Sequence, residues 1–132
     1  VIVYENSLSH ERAFFVTNTL IANSKQEAIN AIFDLNYPLN KRAVIENVSD
    51  KSLFKSNWDL GKIDFLNYQE NIVVLKTKNP GEGFLVFTDT YYPSWRARID
   101  GRETNIYITD YAFRGIIVPK GEHTIEFYNS LF

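Results

Sequence analysis

Hydrophobic and polar residues alternate along this chain with two different periods. Residues 12–18 read Arg-Ala-Phe-Phe-Val-Thr-Asn, a short apolar run of strand-forming types. Ser24 then precedes Lys25-Gln26-Glu27. Ser and Glu at that spacing form a capping box, in which each side chain accepts a backbone N–H at a helix start. Ala28, Ile29, Ile32 and Phe33 follow at helical spacing. The pattern predicts one helix over residues 25–34, ended by Pro38 and its neighbouring asparagines.

From there the period drops to two. Residues 43–45 (Ala-Val-Ile) are a strand candidate, and residues 62–68 alternate with Ile63 and Phe65 on one face. Residues 72–75 (Ile-Val-Val-Leu) are apolar on both faces, as a central strand would be. Asn79-Pro80-Gly81-Glu82-Gly83 is a turn, and residues 84–87 (Phe-Leu-Val-Phe) make another fully apolar strand. Asp100-Gly101, between residues 95–99 and 102–108, is a two-residue type I′ hairpin signal. That turn sets Ile99 opposite Arg102, Arg98 opposite Glu103, Ala97 opposite Thr104, Arg96 opposite Asn105 and Trp95 opposite Ile106. Trp95, Ala97, Ile99, Thr104 and Ile106 then share the inner face, and Arg96, Arg98, Glu103 and Asn105 the outer one. A slip of one residue would bury the arginines. Residues 113–118 and 123–128 supply the last strands, joined by Pro119-Lys120-Gly121-Glu122. Many short strands, no alternation of strands with helices and one early helix predict a mainly β fold. The expected form is a two-layer antiparallel β-sandwich of jelly-roll or Ig-like type, with one short helix near the N-terminus.

Composition narrows the function more by exclusion than by pointing. The 132 residues suffice for one domain with a real core and not for two. The formal net charge of −2 argues against a nucleic-acid module, which needs a basic face. Cysteine is absent, so disulfides and thiolate metal sites are excluded, and no apolar run reaches the ~18 residues of a bilayer span. The chain opens in a strand-like run at Val1 and stops at Leu131-Phe132, which sets the expectation of a segment, residues 1–132, within a longer polypeptide. His10 and His123 are the two imidazoles, far apart in sequence, and no cluster has metal-ligand spacing, so no metal or other cofactor is expected. Nucleophile elbows, phosphate loops and dinucleotide fingerprints are missing, so no catalytic residue is assigned. Asp89, Asp100, Asp110 and Glu103 could in principle supply a glycosidase pair, but solvated surface carboxylates are the commoner reading. Asn47-Val48-Ser49 matches a glycosylation sequon, a pattern frequent by chance.

The aromatic fraction, 15%, is high, and three of those rings fall in the connection Asp89-Thr90-Tyr91-Tyr92-Pro93-Ser94-Trp95. Stacked rings with a carboxylate and an arginine nearby make a sugar platform. The competing reading is a corner of the sandwich in which Pro93 stiffens the loop. The hairpin register turns Trp95 inward. For Tyr91 and Tyr92 the two readings stand level, so Tyr91, Tyr92, Asp89 and Arg114 are the candidate ligand-binding residues.

These residues also carry a resemblance. Residues 83–95, then Ile99-Asp100-Gly101, Tyr111-Ala112-Phe113-Arg114-Gly115 and Val118-Pro119-Lys120-Gly121-Glu122-His123, resemble the C-terminal soluble region of bacterial YfhO-type membrane proteins. Arg12-Ala13-Phe14-Phe15-Val16 resembles the start of that region. Ser94 stands where the family pattern usually has Gly, which implies a less extreme loop backbone. YfhO-type proteins resemble the GT-C class of multi-pass membrane glycosyltransferases, whose catalytic acids lie in loops of the membrane portion. The resemblance therefore implies a non-catalytic accessory domain on the outer side of the bacterial cytoplasmic membrane. Its expected partners are an acceptor glycan or the membrane portion of the same polypeptide. A carbohydrate-binding module of a secreted protein and a purely structural domain are the alternatives.

Overall fold

The computed structural model describes residues 12–33, 41–46, 48–55, 57–89, 91–110 and 112–131. These residues form eleven strands, one α-helix and a single 3-10 turn (Lys51–Leu53): β1 (Ala13–Val16), β2 (Asn18–Ile21), α1 (Lys25–Ile32), β3 (Arg42–Ile45), β4 (Lys62–Tyr68), β5 (Ile72–Asn79), β6 (Gly83–Phe87), β7 (Trp95–Ile99), β8 (Arg102–Thr104), β9 (Tyr107–Thr109), β10 (Phe113–Val118) and β11 (Gly121–Asn129). A six-stranded sheet has the order β1-β6-β10-β9-β3-β2, and a five-stranded sheet the order β4-β5-β11-β7-β8. The mainly β, two-sheet expectation with one helix holds.

The helix starts as its sequence dictates: Ser24 Oγ accepts the Glu27 amide at 3.1 Å. It connects β2 to β3, and those two strands pair in parallel, Thr19 opposite Ala43 and Leu20 opposite Val44. This crossover is a local departure from the antiparallel pattern, and its strand β2 did not stand out in the sequence. Ala28 on α1 packs with Ala22 and Val44, which covers the edge of the six-stranded sheet. Asp34, the last residue of the predicted helix, falls outside the described residues, as do His10, Asn47, Thr90 and Tyr111.

The main core lies between the sheets. Phe15, Leu85, Phe87, Ile116 and Val118 from one sheet meet Val73, Leu75, Ala97, Ile125 and Phe127 from the other. The six-stranded sheet is also covered on its far face. All five residues of β6 are buried. Leu85 and Phe87 point into the inter-sheet core, and Phe84 and Val86 point the other way, against Trp58 and Phe54. Phe54, Trp58, Phe84 and Tyr107 form an aromatic cluster with centroid separations of 5.0 to 6.2 Å. The segment bearing Phe54 and Trp58 is pinned by bonds from Trp58 N to the Thr17 carbonyl and from Trp58 Nε1 to Thr19 Oγ1. The molecule thus has a third, irregular layer. β5, by contrast, buries one face only: Val73 and Leu75 are enclosed, while Lys76 and Lys78 are exposed.

The hairpin follows the sequence up to a point. Ile99 faces Arg102, Arg98 faces Glu103 and Ala97 faces Thr104. Asp100 and Gly101 sit at φ 52° and 83°, as a type I′ turn requires. The predicted continuous strand over residues 102–108 breaks after Thr104. Its first part, β8, edges the five-stranded sheet and its second, β9, joins the other sheet, so Arg96–Asn105 and Trp95–Ile106 are not ladder partners. Here the chain turns the corner from one layer to the other. On the outer face Arg96 pairs diagonally with Glu103 at 3.6 Å, and Arg98 pairs with Glu126, directly opposite it on β11, at 4.0 Å.

Gly115 on β10 lies beneath the Phe84 ring. A Cβ there would stand 2.6 Å from Phe84 and 2.2 Å from Thr109 Oγ1. Gly115→Ala should therefore cost about 1–3 kcal/mol through overpacking, read as a lower urea midpoint at unchanged slope. An unchanged midpoint would show that the outer aromatic layer yields freely.

Candidate functional site

Arg114 organises one end of the sandwich. On β10, Ile116 and Val118 point into the inter-sheet core, and the two-residue period puts Arg114 on that same face as its last rung. Its guanidinium carbon lies 3.9 Å from the Trp95 ring centroid, 5.2 Å from Phe87 and 5.9 Å from Phe127. Arg114 is only 2% exposed. Burial lowers its pKa to about 10, while the nearby Asp89 and Tyr68 act in the opposite direction. It therefore stays cationic at neutral pH, and aromatic faces take the place of part of its water shell.

Asp89, just after β6, is held from two sides. Tyr68 donates its hydroxyl to Asp89 Oδ2 at 2.9 Å, and Arg12 Nη1 donates to Asp89 Oδ1 at 3.2 Å. Partial burial first, then the hydrogen bond to Asp89, raises the Tyr68 pKa, which keeps the phenol protonated as a donor. Tyr92 is 58% exposed. Its carbonyl accepts the Trp95 amide at 3.0 Å, closing a turn around Pro93-Ser94. Ser94 is not among the described residues with positive φ, which fits the expectation of an ordinary backbone there. The Ser94 carbonyl takes two bonds from Ser130, so the aromatic loop is tied to the end of β11.

These contacts frame an open cleft of about 610 Å³ lined by Asp89, Arg114, Trp95, Tyr92, Glu70, Asn71 and Asn129. Three of the four candidate binding residues thus meet in one place. Tyr91, the fourth, lines a neighbouring cleft of about 450 Å³ with Pro93, Arg96, Glu103, Asn105 and Ile106, and Trp95 lines both. Trp95 does pack against the core as the register requires, but it is only partly buried and also forms cleft wall. Arg12, Tyr68, Glu70, Asn71 and Asn129 carried no signal, because they come from the start of the chain, the β4–β5 turn and the end of β11.

The other candidate carboxylates have separate engagements. Asp110, at φ 50°, accepts the Val44 amide at 2.8 Å and is buried, which raises its pKa to about 6. Glu103 accepts the Tyr128 hydroxyl at 2.8 Å. Asp100 accepts the Thr124 amide at 2.8 Å and pairs with His123 Nδ1. His123 Nε2 faces the Lys120 carbonyl at 2.9 Å. Both ring nitrogens meet acceptors, so only the imidazolium satisfies both; the bond to Asp100 raises the His123 pKa, and the same bond lowers that of Asp100. Among the described residues no group of three or more His, Asp or Glu is placed to hold a metal ion. No helix among them is long and apolar enough to cross a membrane.

Over 96 residues, 73% of this chain, the sequence is 27% identical to "Uncharacterized protein YfhO" of Bacillus subtilis (strain 168). The chain covers 10% of that protein's length. No family model matches the chain, and no solved structure matches it.

Two outcomes follow from this geometry. Arg114→Lys keeps the charge and loses the planar stack, so it should lower stability by about 1–2 kcal/mol in urea titration; an unaltered midpoint would mean that the stack contributes nothing. The His123 contribution is fully present below its ordinary value of 6.5 and is lost as pH rises through the raised one, whereas that of Asp100 is present above 3.8 and is lost as pH falls through its lowered value. His123→Gln should therefore cost most between about pH 4 and 6.5, with a smaller cost at about pH 9. Denaturation at both ends checks this, and an equal cost throughout would contradict it.

Proposed function

We propose that this chain is a non-catalytic accessory domain of a YfhO-type membrane protein, on the outer side of the cytoplasmic membrane, and that it holds a glycan in the cleft between Trp95, Arg114, Tyr92 and Asp89. The parent would be a glycosyltransferase of the GT-C type, with its reaction carried by the membrane portion. The convergence of Asp89, Tyr92 and Arg114 on one cleft beside a partly buried indole supports this reading most strongly. Sugar recognition asks for an aromatic face, planar polar donors and acceptors, and rigid walls. Trp95 and Tyr92 supply rings, Asn71 and Asn129 supply amides, and the Ser130–Ser94 and Tyr92–Trp95 hydrogen bonds fix the loop. The similarity to the Bacillus subtilis protein, over a tenth of that protein, supports the role of a part rather than of a whole.

A purely structural role is favoured by a different observation. Arg114 is buried and stacked, as a residue closing the end of a sandwich would be. The two readings diverge at Tyr92, which is exposed and packs little. On the glycan reading, Tyr92→Ala abolishes glycan-induced chemical shifts while leaving the melting temperature within about 2 °C, since exposed sites change stability little. On the structural reading no glycan shifts any resonance of the cleft. The location is tested separately. A single cysteine replacing Tyr92 in the full-length protein should react with a membrane-impermeant maleimide in intact cells. Reaction only after permeabilisation would overturn the extracytoplasmic placement.

A further inference from the structure

Tyr91 and Tyr92 are adjacent in sequence and line different clefts, and Trp95 lines both. Two compartments of about 610 and 450 Å³, sharing one aromatic wall and each with its own tyrosine, give room for more than one sugar ring. The polar groups of the two are alike. The first offers the amides of Asn71 and Asn129, and the second Thr104 and the exposed Asn105.

The charges of both compartments are balanced or slightly acidic. In the first, Arg114 is accompanied by Asp89 and Glu70, and Arg12 is already directed at Asp89. In the second, Arg96 is paired with Glu103 at 3.6 Å. Phosphate and uronate recognition depends on a surplus of Arg or Lys that forks onto the anion. Neither cleft has that surplus, and an anionic ligand would meet Asp89, Glu70 and Glu103 at close range.

We infer that the two clefts form one continuous site for an uncharged oligosaccharide, at least two residues long, that bridges over Trp95, with one ring beside Tyr92 and the next beside Tyr91. This rests on the glycan reading above and adds to it the length and charge class of the ligand. Both neighbours of the Trp95 wall then have a use, including Tyr91, which the first cleft leaves aside.

Calorimetric titration of the 132-residue chain with neutral N-acetylglucosamine and glucose oligomers of one, two and four units, and with oligogalacturonate, tests it. The expected result is an affinity for the neutral tetramer about tenfold or more above that for the monomer, and weaker binding of the anionic chain. Tyr91→Ala and Asn105→Ala should each remove that increment with length; Asn105 is exposed, so its variant keeps the fold. Neutral monomer and tetramer binding equally, tighter binding of oligogalacturonate, or a length increment that survives both variants would each overturn the inference and spare the glycan reading. Binding by no probe would overturn the glycan reading and the inference together.

Discussion

The arrangement at the cleft end of this molecule depends on a cation placed where a sandwich would normally put an aliphatic side chain. Arg114 continues the row Ile116 and Val118 toward the end of the inter-sheet layer. A guanidinium there loses most of its water, which in an apolar setting is costly unless other groups replace it. The replacement comes from ring faces: Trp95 at 3.9 Å, with Phe87 and Phe127 behind it. Asp89 supplies the nearby negative charge and is itself fixed by Tyr68 and Arg12. Because these groups must stay together for the cation to be tolerated, the wall of the cleft is rigid. Rigidity of this kind reduces the ordering cost of taking up a ligand.

The remainder of the fold holds the two sheets at the spacing this stack needs. β6 is enclosed on both faces, with Phe87 reaching Phe127 at 4.9 Å on one side and Phe84 reaching Trp58 at 5.7 Å on the other. The irregular segment bearing Phe54 and Trp58 acts as a third layer in place of a sheet or helix. The break between β8 and β9 moves the chain from one sheet to the other and leaves Asn105 and Ile106 at the rim of the second cleft.

What was legible in the sequence was local. The Ser24 cap on the Glu27 amide, the Asp100-Gly101 turn and the alternation through Ile63 and Phe65 each depend on residues a few positions apart, and each is present; of the predicted capping box it is the Ser24 half that forms. The inward turn of Trp95 followed from the same hairpin register. The errors arise where distant segments decide. The strand predicted over residues 102–108 keeps its alternation, yet it divides because two sheets compete for it. β2 is too short and too mixed to announce itself, and only its parallel pairing with β3 across α1 makes it a strand. Phe54 and Trp58 lie in a stretch without period, so nothing marked them as a lid. Of the cleft, sequence reasoning gave Asp89, Tyr92 and Arg114 but not Tyr68, Asn71 or Asn129, since their approach is created by strand pairing between β4, β5 and β11.

The two tryptophans provide a direct internal comparison. The Trp95 indole borders the cleft, while the Trp58 indole donates to Thr19 within the outer aromatic cluster. Two-dimensional 1H–15N spectra of the chain, recorded with increasing neutral N-acetylglucosamine tetramer, report on both at once. A saturable shift of the Trp95 indole N–H and of the Asn71 and Asn129 side-chain amides, with Trp58 unmoved, is the result expected of a glycan site at the Arg114 stack. Stationary Trp95 and amide signals, or shifts centred on Trp58, would contradict it.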